Sequence, residues 1–507
     1  MASPLKQIHK SSFIKYLFLA LSGALSVVAF SPFDIKAVIL LSLAILIYSI
    51  ANSINYIEAF KRSLAWGLGY WIAGTGWLIV SIYFYGNIGF IVSTFLTILF
   101  IGIISIYSGL TLFLYSYLRS NSESMTIFSL PIAWVAVEYL RSILFTGFPW
   151  LISGTMLADT PLDGWTPIIG AQGNTFLIVF ISSVLYKLIS SLKQSRSSLP
   201  LIILFLVLLI SSYTLKNFQW TKLEGLVTAS VVQTNLELQE KWSTEGVVET
   251  KNKIETAIEL GKKGEIIVFP ETALIFSEKE IKDWLDYIDG KAKQKNITLL
   301  TGIIEREDDY KVRNRILGLG EANSYYDKVK LVPFGEFIPF ENLTGKFFDI
   351  LGLKLTNTLP GEQIKTINAG NLRISASICY EIAFPGLISK TAFDSNLLVT
   401  ISNDTWFGRS YGPIQHLEIA QNRALEHKKS LVRSTNSGIS AFITKDGKIK
   451  EKQGYFEEKS IKNEIELYKG QTFYAKYGNL PLFSILSVIL MCIIAVNIKI
   501  SHFTLRR

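Results

Sequence analysis

The sequence predicts a protein of two parts, a polytopic α-helical membrane domain and an extracytoplasmic α/β domain. The chain of 507 residues is 49% hydrophobic and 18% charged, too apolar for a soluble protein and too charged for one wholly embedded in lipid. Long apolar runs are confined to residues 1–214 and 479–507. We therefore expect a transmembrane domain of seven helices at 1–214, a globular domain at 215–478, and an eighth transmembrane helix with a cytoplasmic tail at 479–507.

Eight segments meet the length and apolarity criteria for crossing a membrane. They lie at approximately 14–30, 37–51, 64–84, 88–117, 127–146, 168–190, 199–214 and 479–498. We expect the first to stay in the chain as a span, because it lacks a small-residue cleavage site and further spans follow it.

The flanking cations predict the orientation. With eight spans, nearly all of them fall on one side, and among the short loops of the other side only 31–36 carries a cation, Lys36. The positive-inside rule then places both termini in the cytoplasm and residues 215–478 outside it. The cations on the predicted inner side are Lys6, Lys10, Lys15, Lys61, Arg62, Arg119, Lys187, Lys193, Arg196, Lys499, Arg506 and Arg507.

Charge and cysteine content exclude two classes of protein. The membrane part has 14 Lys and Arg against 6 Asp and Glu, and residues 215–478 have 36 against 35. The overall charge of +9 therefore reflects membrane topology, and a near-neutral domain gives no basic face for nucleic acid. Of the two cysteines, Cys379 and Cys492, the second lies in the last apolar run, so a disulfide framework is excluded.

Residues 215–478 alternate short β-rich runs with helical patterns, which favours a layered α/β domain. Helices are predicted at 246–260, 278–294 and 414–427. Strands are predicted at 226–233, 265–269, 298–304, 312–319, 372–378, 397–402 and 438–444.

Three stretches of this domain end in groups suited to nucleophilic chemistry. The run 373–386 reads as a strand that stops at Cys379, where a thiol would be exposed beside free backbone N–H groups. In IIVFPETAL, Glu271 follows an apolar strand, as a general base would. In YYDKVKLVPFGEFIP, Lys328 could stabilise an oxyanion and Glu336 could hold its ammonium in place. Each residue alone has an ordinary structural explanation, but the three stretches together favour one site.

Other partners for the thiol are less well supported. Pairing of Cys379 with His416 or His427, as in papain-like enzymes, stays open but lacks a local signature. No cluster has metal-ligand spacing and no glycine-rich phosphate loop is present, so the sequence predicts no metal and no cofactor.

The ordered motifs PETAL, YDKVKLVPFGE, ICYE and NDTWFG resemble those of the nitrilase (carbon–nitrogen hydrolase) superfamily. Together with eight spans, they are similar to the apolipoprotein N-acyltransferase family of Gram-negative inner membranes. The resemblance implies an extracytoplasmic, nitrilase-like αββα sandwich. It also implies transfer of an acyl chain from a phospholipid to the α-amino group of a lipoprotein's diacylglyceryl-cysteine, through a thioester and with ping-pong kinetics. We expect a monomer.

The resemblance also implies roles for single residues. Glu271 would be the general base, Lys328 the oxyanion-stabilising cation and Cys379 the nucleophile, with Glu336, Tyr380 and Glu381 supporting them. Substrate-binding positions implied by the motifs or their neighbourhood are Trp242, Trp406, Phe347 and Phe348. One departure is Lys330, where many superfamily members have histidine.

Two further features allow alternative interpretations. The apolar segment 342–355, which contains Phe347 and Phe348, is either a lid that touches lipid or a small satellite core. In the fifth span, Glu138 and Arg141 indicate a proton or substrate pathway or, as we favour, an intrahelical pair at the membrane edge.

Three alternative functions are less well supported by the sequence. A membrane-anchored amidase or nitrilase-type hydrolase would use the same triad, although eight spans are excessive for an anchor. A transporter with an accessory domain is disfavoured because the spans contain almost no ionisable residues. A lipoprotein chaperone without catalytic activity would leave the triad without a purpose.

Overall fold

The computed structural model describes residues 4–51, 53, 55–86, 88–118, 123–193, 199–307, 311–340 and 357–504. The chain forms two compact units. The helical unit comprises Met1–Phe218, Ser410–Gln415 and Asn479–Arg507, and the α/β unit comprises Gln219–Arg409 and His416–Gly478. The grouping of Ser410–Gln415 with the helical unit was not indicated by any pattern in the sequence.

The helical unit is built from long apolar helices. They are α1 (Pro4–Ser26), α2 (Ala37–Ala51), α3 (Tyr56–Thr75), α4 (Phe90–Leu118), α5 (Glu123–Ile143), α6 (Thr166–Lys193), α7 (Leu199–Lys216) and a C-terminal helix (Leu480–Thr504).

Not all of these helices have the length and composition of a membrane span. Five segments in the described part of the chain do, namely Phe90–Leu118, Ile127–Thr146, Asp163–Ser190, Leu199–Lys216 and Leu480–Asn497. A sixth results if Tyr56–Thr75 and Leu78–Tyr85, which are bent by 54°, cross as one. Two shorter apolar helices, Phe13–Ala29 and Ala37–Ala51, cover the first two predicted segments. The bend interrupts the third predicted segment next to Gly74 and Gly76, which are poor helix formers.

Glu138 and Arg141 of α5 are buried, and both contact the loop after the helix, while Glu138 also contacts α6. Arg141 Nη1 donates hydrogen bonds to Phe148 O at 2.5 Å and to Trp150 O at 2.7 Å. Glu138 accepts from Ser153 N at 3.1 Å and from Thr175 Oγ1 at 2.5 Å.

The direct approach of the two charges is longer, at 3.9 Å between Arg141 Nη2 and Glu138 Oε2. The interpretation of these residues as a simple intrahelical pair was therefore incomplete, because both side chains fix the backbone of the loop that follows α5.

The α/β unit contains two sheets. The first has the order β13-β1-β2-β3-β4-β5, with β6 paired to β4, and the second has the order β12-β11-β10-β9-β8-β7. Strands β1, β2 and β3 are parallel, as are β8, β9 and β10. The strands are β1 (Thr221–Gln233), β2 (Ile266–Val268), β3 (Thr298–Arg306), β4 (Lys311–Gly320), β5 (Tyr325–Asp327), β6 (Asn357–Thr358), β7 (Ile367–Ala369), β8 (Leu372–Ile378), β9 (Leu397–Ser402), β10 (Leu431–Thr435), β11 (Ala441–Ile443), β12 (Ile449–Lys452) and β13 (Lys459–Gly470).

Helices cover the outer faces of the sheets. They are α8 (Thr244–Leu260), α9 (Lys282–Gln294), α10 (Pro385–Ala392) and α11 (Gly412–His427). Ile254 of α8 and Ile288 of α9 belong to a buried core with Ile267 of the first sheet, whereas α10 packs on β8 of the second. The layers are thus helix, sheet, sheet and helix, the nitrilase-like arrangement that the resemblance implied.

The continuous apolar run at β2 is explained by burial on both faces. Ile266 and Val268 face the core between the two sheets, and Ile267 and Phe269 face the core beneath α8 and α9. A strand covered on both sides has no position at which a polar residue could meet water. Glu271 is therefore the first charged side chain after this buried strand.

Gly302 of β3 allows the backbone that carries Glu271 to approach closely. A Cβ atom at Gly302 would lie 2.4 Å from Thr272 N and 2.5 Å from Pro270 O. We predict that Gly302→Ala lowers the free energy of unfolding by roughly 1–3 kcal/mol, because backbone atoms must move to admit the methyl group. Thermal unfolding of the purified protein in detergent measures this change.

The matched control is Gly290→Ala in α9, where a Cβ atom would meet nothing within 4 Å. This substitution should raise stability by roughly 0.5–1 kcal/mol, because alanine is the better helix former. Equal effects of the two substitutions would contradict the argument from close approach.

Candidate active site

Glu271, Lys328 and Cys379 come together in the α/β unit. Glu271 follows β2, Lys328 follows β5 and Cys379 follows β8. Lys328 Nζ lies 3.4 Å from Glu271 Oε1, and both charges act on the Cys379 thiol. The convergence predicted from the three stretches is therefore present in the fold.

The Glu271 carboxylate is held by two donors that the sequence analysis missed. Oε1 accepts from Asn314 Nδ2 at 2.6 Å, and Oε2 accepts from the backbone N–H of Asn403 at 2.7 Å. Asn403 opens the NDTWFG motif, and Asn314 lies in β4 between Arg313 and Arg315. These contacts fix the orientation of the carboxylate, as a general base requires.

Lys328 is a buried ammonium between two carboxylates. Its side chain is 1% exposed, and Nζ donates to Glu336 Oε1 at 2.8 Å. Burial alone would lower the pKa of Lys328, but the charges of Glu336 and Glu271 outweigh it and raise the pKa above its ordinary value. The side chain therefore carries a fixed positive charge, which is suited to an oxyanion.

Glu336 is itself held by the turn that the PFGE motif predicted. Its Oε2 accepts from Val332 N at 2.7 Å, and Phe334 N donates to Phe337 O within the turn. Lys330 lies elsewhere, with its Nζ 4.8 Å from the centre of the Phe384 ring.

Cys379 has a strained backbone conformation at the end of β8. Its φ is +52°, in the left-handed region, and a 3₁₀ turn begins at this residue. Burial raises the pKa of the Cys379 thiol, the Glu271 carboxylate raises it further, and Lys328 acts in the opposite direction. The Ser402 side chain also acts to lower the pKa of the thiol. Cys379 is therefore a neutral thiol near pH 7, which must lose its proton during attack.

Glu381 connects the Cys379 turn to the Lys328 segment. Its Oε1 accepts from Val329 N at 2.7 Å and from Lys330 N at 2.9 Å, while Oε2 accepts from Ile378 N at 2.8 Å. Because Val329 and Lys330 directly follow Lys328, one buried carboxylate fixes the backbone on both sides of the site. Tyr380 is buried beside it, with its ring edge against Phe384.

Two of the four predicted substrate-binding residues, Trp242 and Trp406, lie in the described part of the chain. Trp242 and Trp406 are 56% and 41% exposed. Trp242 follows Lys241, whose Nζ lies 3.3 Å from Glu271 O and so links this segment to the catalytic candidate. Phe347, Phe348 and the rest of the segment 342–355 lie outside the described residues. The substrate-binding role of all four positions stays a prediction.

The sequence left His416 and His427 open as partners of the Cys379 thiol, and the structure gives neither of them a hydrogen bond to the Cys379 sulfur in the described part of the chain. His416 Nε2 lies 3.2 Å from the backbone carbonyl oxygen of Cys379, a contact with the main chain of the nucleophile. Neither ring nitrogen of His427 has a hydrogen-bond partner in the described part of the chain. Nor do the described residues contain a group of three or more His, Cys, Asp or Glu that could hold a metal ion.

Taken together, the geometry suits acyl transfer through a covalent intermediate. A thiol, an oriented carboxylate and a fixed ammonium could remove the thiol proton and stabilise the oxyanion formed at a carbonyl carbon.

Comparison with known proteins identifies the family. Residues 22–184 match the family model described as apolipoprotein N-acyltransferase N-terminal domain, and residues 228–473 match that for carbon–nitrogen hydrolase. The chain is 33% identical to an apolipoprotein N-acyltransferase of Pasteurella multocida over 96% of each chain. It is 32% identical to the one from Coxiella burnetii over 93% of this chain and 98% of the relative.

One similar solved structure is that of Saccharomyces cerevisiae Nit3, a member of branch 10 of the nitrilase superfamily. The match covers 51% of this chain and 96% of Nit3, with 19% identity and a TM-score of 0.38. The relatives from Pasteurella and Coxiella match both the helical unit and the α/β unit over nearly their full lengths. The chain belongs to the apolipoprotein N-acyltransferase family.

Proposed function

We propose that this protein transfers an acyl chain from a phospholipid to the α-amino group of the N-terminal diacylglyceryl-cysteine of apolipoproteins. The observation that carries the proposal is the convergence of Glu271, Lys328 and Cys379 in a chain that matches proteins named apolipoprotein N-acyltransferase over nearly their full length. The hydrolase alternative is not favoured, because the similarity extends through the helical unit as well.

In the first half-reaction, the Cys379 sulfur attacks the ester carbonyl carbon of the phospholipid while Glu271 accepts the thiol proton. The new C–S bond leaves a negative charge on the carbonyl oxygen, which Lys328 and a backbone N–H next to Cys379 stabilise. When the C–O bond breaks, Glu271 returns the proton to the departing glycerol oxygen. A lysophospholipid leaves and a thioester remains.

In the second half-reaction, the lipoprotein amine attacks the thioester carbon. Glu271 accepts a proton from the amine, the same donors stabilise the second oxyanion, and the C–S bond breaks. The sulfur recovers its proton and the product is an amide. Because the two substrates use one site in turn, ping-pong kinetics are expected.

The remaining site residues support these steps. Glu336 keeps Lys328 charged and in place, and Glu381 with Tyr380 shapes the turn after the nucleophile. Trp242, Trp406, Phe347 and Phe348 are proposed to contact the substrates, with 342–355 as a lid. Both substrates are lipids, so a site that opens to the bilayer avoids extracting acyl chains at about 0.8 kcal/mol per CH₂ group.

The proposed location is the inner membrane, with eight spans and a monomeric enzyme. The domains would be 1–214 in the membrane, 215–478 in the periplasm and 479–507 as the last span and cytoplasmic tail. The distribution of cations supports this orientation.

Removal of the nucleophile tests the covalent step. Cys379→Ala should lower transfer about a thousandfold or more and abolish the thioester, because members of a catalytic unit act together. Mass spectrometry of the protein after exposure to phospholipid measures the added acyl mass. The matched control is Cys492→Ser, which removes the other thiol and should still form the thioester. Full N-acylation by the Cys379→Ala protein would contradict the mechanism.

Substitution of Glu271 should affect two reactions in opposite directions. Its charge raises the pKa of Cys379, so Glu271→Gln lowers that pKa and increases the thiolate fraction at pH 8. Alkylation by iodoacetamide should therefore become faster in a Cys492→Ser background, while acylation by phospholipid becomes slower because the general base is absent. Measured rates of both reactions check this, and slowing of both by one factor would refute the assignment.

The orientation can be tested by labelling. In a background lacking both native cysteines, a thiol introduced by Lys279→Cys should react with a membrane-impermeant maleimide in cells whose outer membrane is permeabilised. A thiol introduced by Lys193→Cys should react only after the inner membrane is opened, because it lies on the predicted cytoplasmic side. The reverse labelling pattern would overturn the proposed topology.

A further inference from the structure

A buried histidine lies behind the nucleophile and contacts its main chain. His416 of α11 is 1% exposed, and its Nε2 is 3.2 Å from the carbonyl oxygen of Cys379. A carbonyl oxygen only accepts hydrogen bonds, so Nε2 carries the hydrogen atom whichever charge the ring has. The imidazole is thus a donor to the peptide group that joins Cys379 to Tyr380.

The other side of the ring is fixed by a buried ion pair. Arg433 Nη2 lies 3.0 Å from His416 Nδ1 and donates to Asp404 Oδ2 at 2.6 Å. Asp404 Oδ1 lies 3.0 Å from His416 Nδ1 and accepts from Ser402 Oγ at 2.6 Å. Arg433 and Asp404 have fully buried side chains, so the ring rests on a rigid support.

The ionisation of these groups agrees with a permanent structural role. Burial would raise the pKa of Asp404, but Arg433 and His416 outweigh it and lower that pKa well below its ordinary value. Burial and the charge of Arg433 lower the pKa of His416. Nε2 carries a hydrogen atom both in the neutral Nε2–H tautomer and in the protonated ring, so donation to the Cys379 carbonyl requires no change of charge.

The direction of one peptide group determines where the next N–H points. In a trans peptide, the C=O and N–H bonds point in opposite directions within one plane. A donor that holds the Cys379 carbonyl on one side therefore directs the Tyr380 N–H to the opposite side. This peptide needs such a constraint, because Cys379 has a φ of +52°, a conformation that costs about 1 kcal/mol or more for a residue other than glycine.

We propose that His416 is a positioning residue that holds the Cys379–Tyr380 peptide so that the Tyr380 N–H faces the oxyanion formed on the substrate carbonyl. Asp404 and Arg433 hold the ring, and His416 itself neither contacts the substrate nor accepts the thiol proton. The inference rests on the proposed function and adds the group that prepares the second oxyanion donor beside Lys328.

The test compares two reactions of Cys379 in the full-length protein in detergent, with Cys492→Ser as the background. Acylation by a diacyl phosphatidylethanolamine passes through an oxyanion, whereas alkylation by iodoacetamide does not. His416→Phe keeps a ring of similar size without the donor. We expect acylation at saturating phospholipid to fall about 10- to 100-fold, while alkylation changes less than about threefold because the thiol and Glu271 remain.

Two further variants separate positioning from folding. His416→Gln can place an amide N–H near the position of Nε2, and it should restore acylation to within a few-fold of the parent protein. His416→Asn has a similar polarity but a shorter side chain, and it should remain slow. This pair keeps the test valid if the phenylalanine variant does not fold.

The matched control is His427→Phe, a buried histidine of the same helix whose ring nitrogens have no hydrogen-bond partner in the described part of the chain. It should leave both rates unchanged. Unaltered acylation in His416→Phe would overturn the inference, as would equal losses of acylation and alkylation or equal rates for the Gln and Asn variants. Absence of a thioester in the parent protein would instead refute the proposed function.

Discussion

The buried ammonium of Lys328 is the constraint on which the site depends. An isolated charge at 1% exposure would be strongly unfavourable, and it persists here because Glu336 and Glu271 lie 2.8 Å and 3.4 Å from it. The three charges sum to one negative charge, and the buried Glu271 carboxylate is satisfied by further donors, which are Asn314 and the backbone of Asn403. The electrostatic requirement thus extends from one side chain to the ends of several strands.

This requirement explains why the two sheets have to be held in a fixed relation. Glu271 and Lys328 follow strands of the first sheet, and Cys379 follows a strand of the second. A shift of one sheet relative to the other would therefore move the thiol away from both charges. Glu381 provides the alignment by joining Ile378 N of the second sheet to Val329 N of the first. Burial raises the pKa of Glu381 to about 7, and the N–H donors of Lys330, Ile378 and Val329 oppose that rise. A carboxylate in this position is stabilised only while the aligned backbone donors stay in place.

Sequence reasoning found the residues that lie at the ends of apolar strands and missed those that act across the fold. The run at 265–269, the stretch at 325–339 and the stop at Cys379 are local patterns, so Glu271, Lys328 and Cys379 could be selected from them. By contrast, the hydrogen bond from Asn403 N to Glu271 joins residues 132 positions apart, and no local pattern indicates it. The same holds for β13, which pairs with β1 from the far end of the unit, and for the attachment of Arg141 to the carbonyl of Trp150. The spacing of apolar residues indicates which side of a helix or strand is buried, but it does not indicate which distant residue packs against that side.

The raised pKa of Cys379 bears on how one sulfur can serve in both halves of an exchange. A thiolate that is stable in the resting enzyme has a low pKa, which makes it a better leaving group and lowers its intrinsic nucleophilicity relative to a thiolate of higher pKa. Burial and Glu271 hold the thiol neutral instead, so the nucleophile forms only as Glu271 accepts its proton. Lys328 opposes this effect on the thiol, yet its charge is retained because each half-reaction places a negative charge on the carbonyl oxygen. The site therefore stabilises the negative charge that forms on the carbonyl oxygen during the reaction. It does not stabilise a thiolate on Cys379 in the resting enzyme.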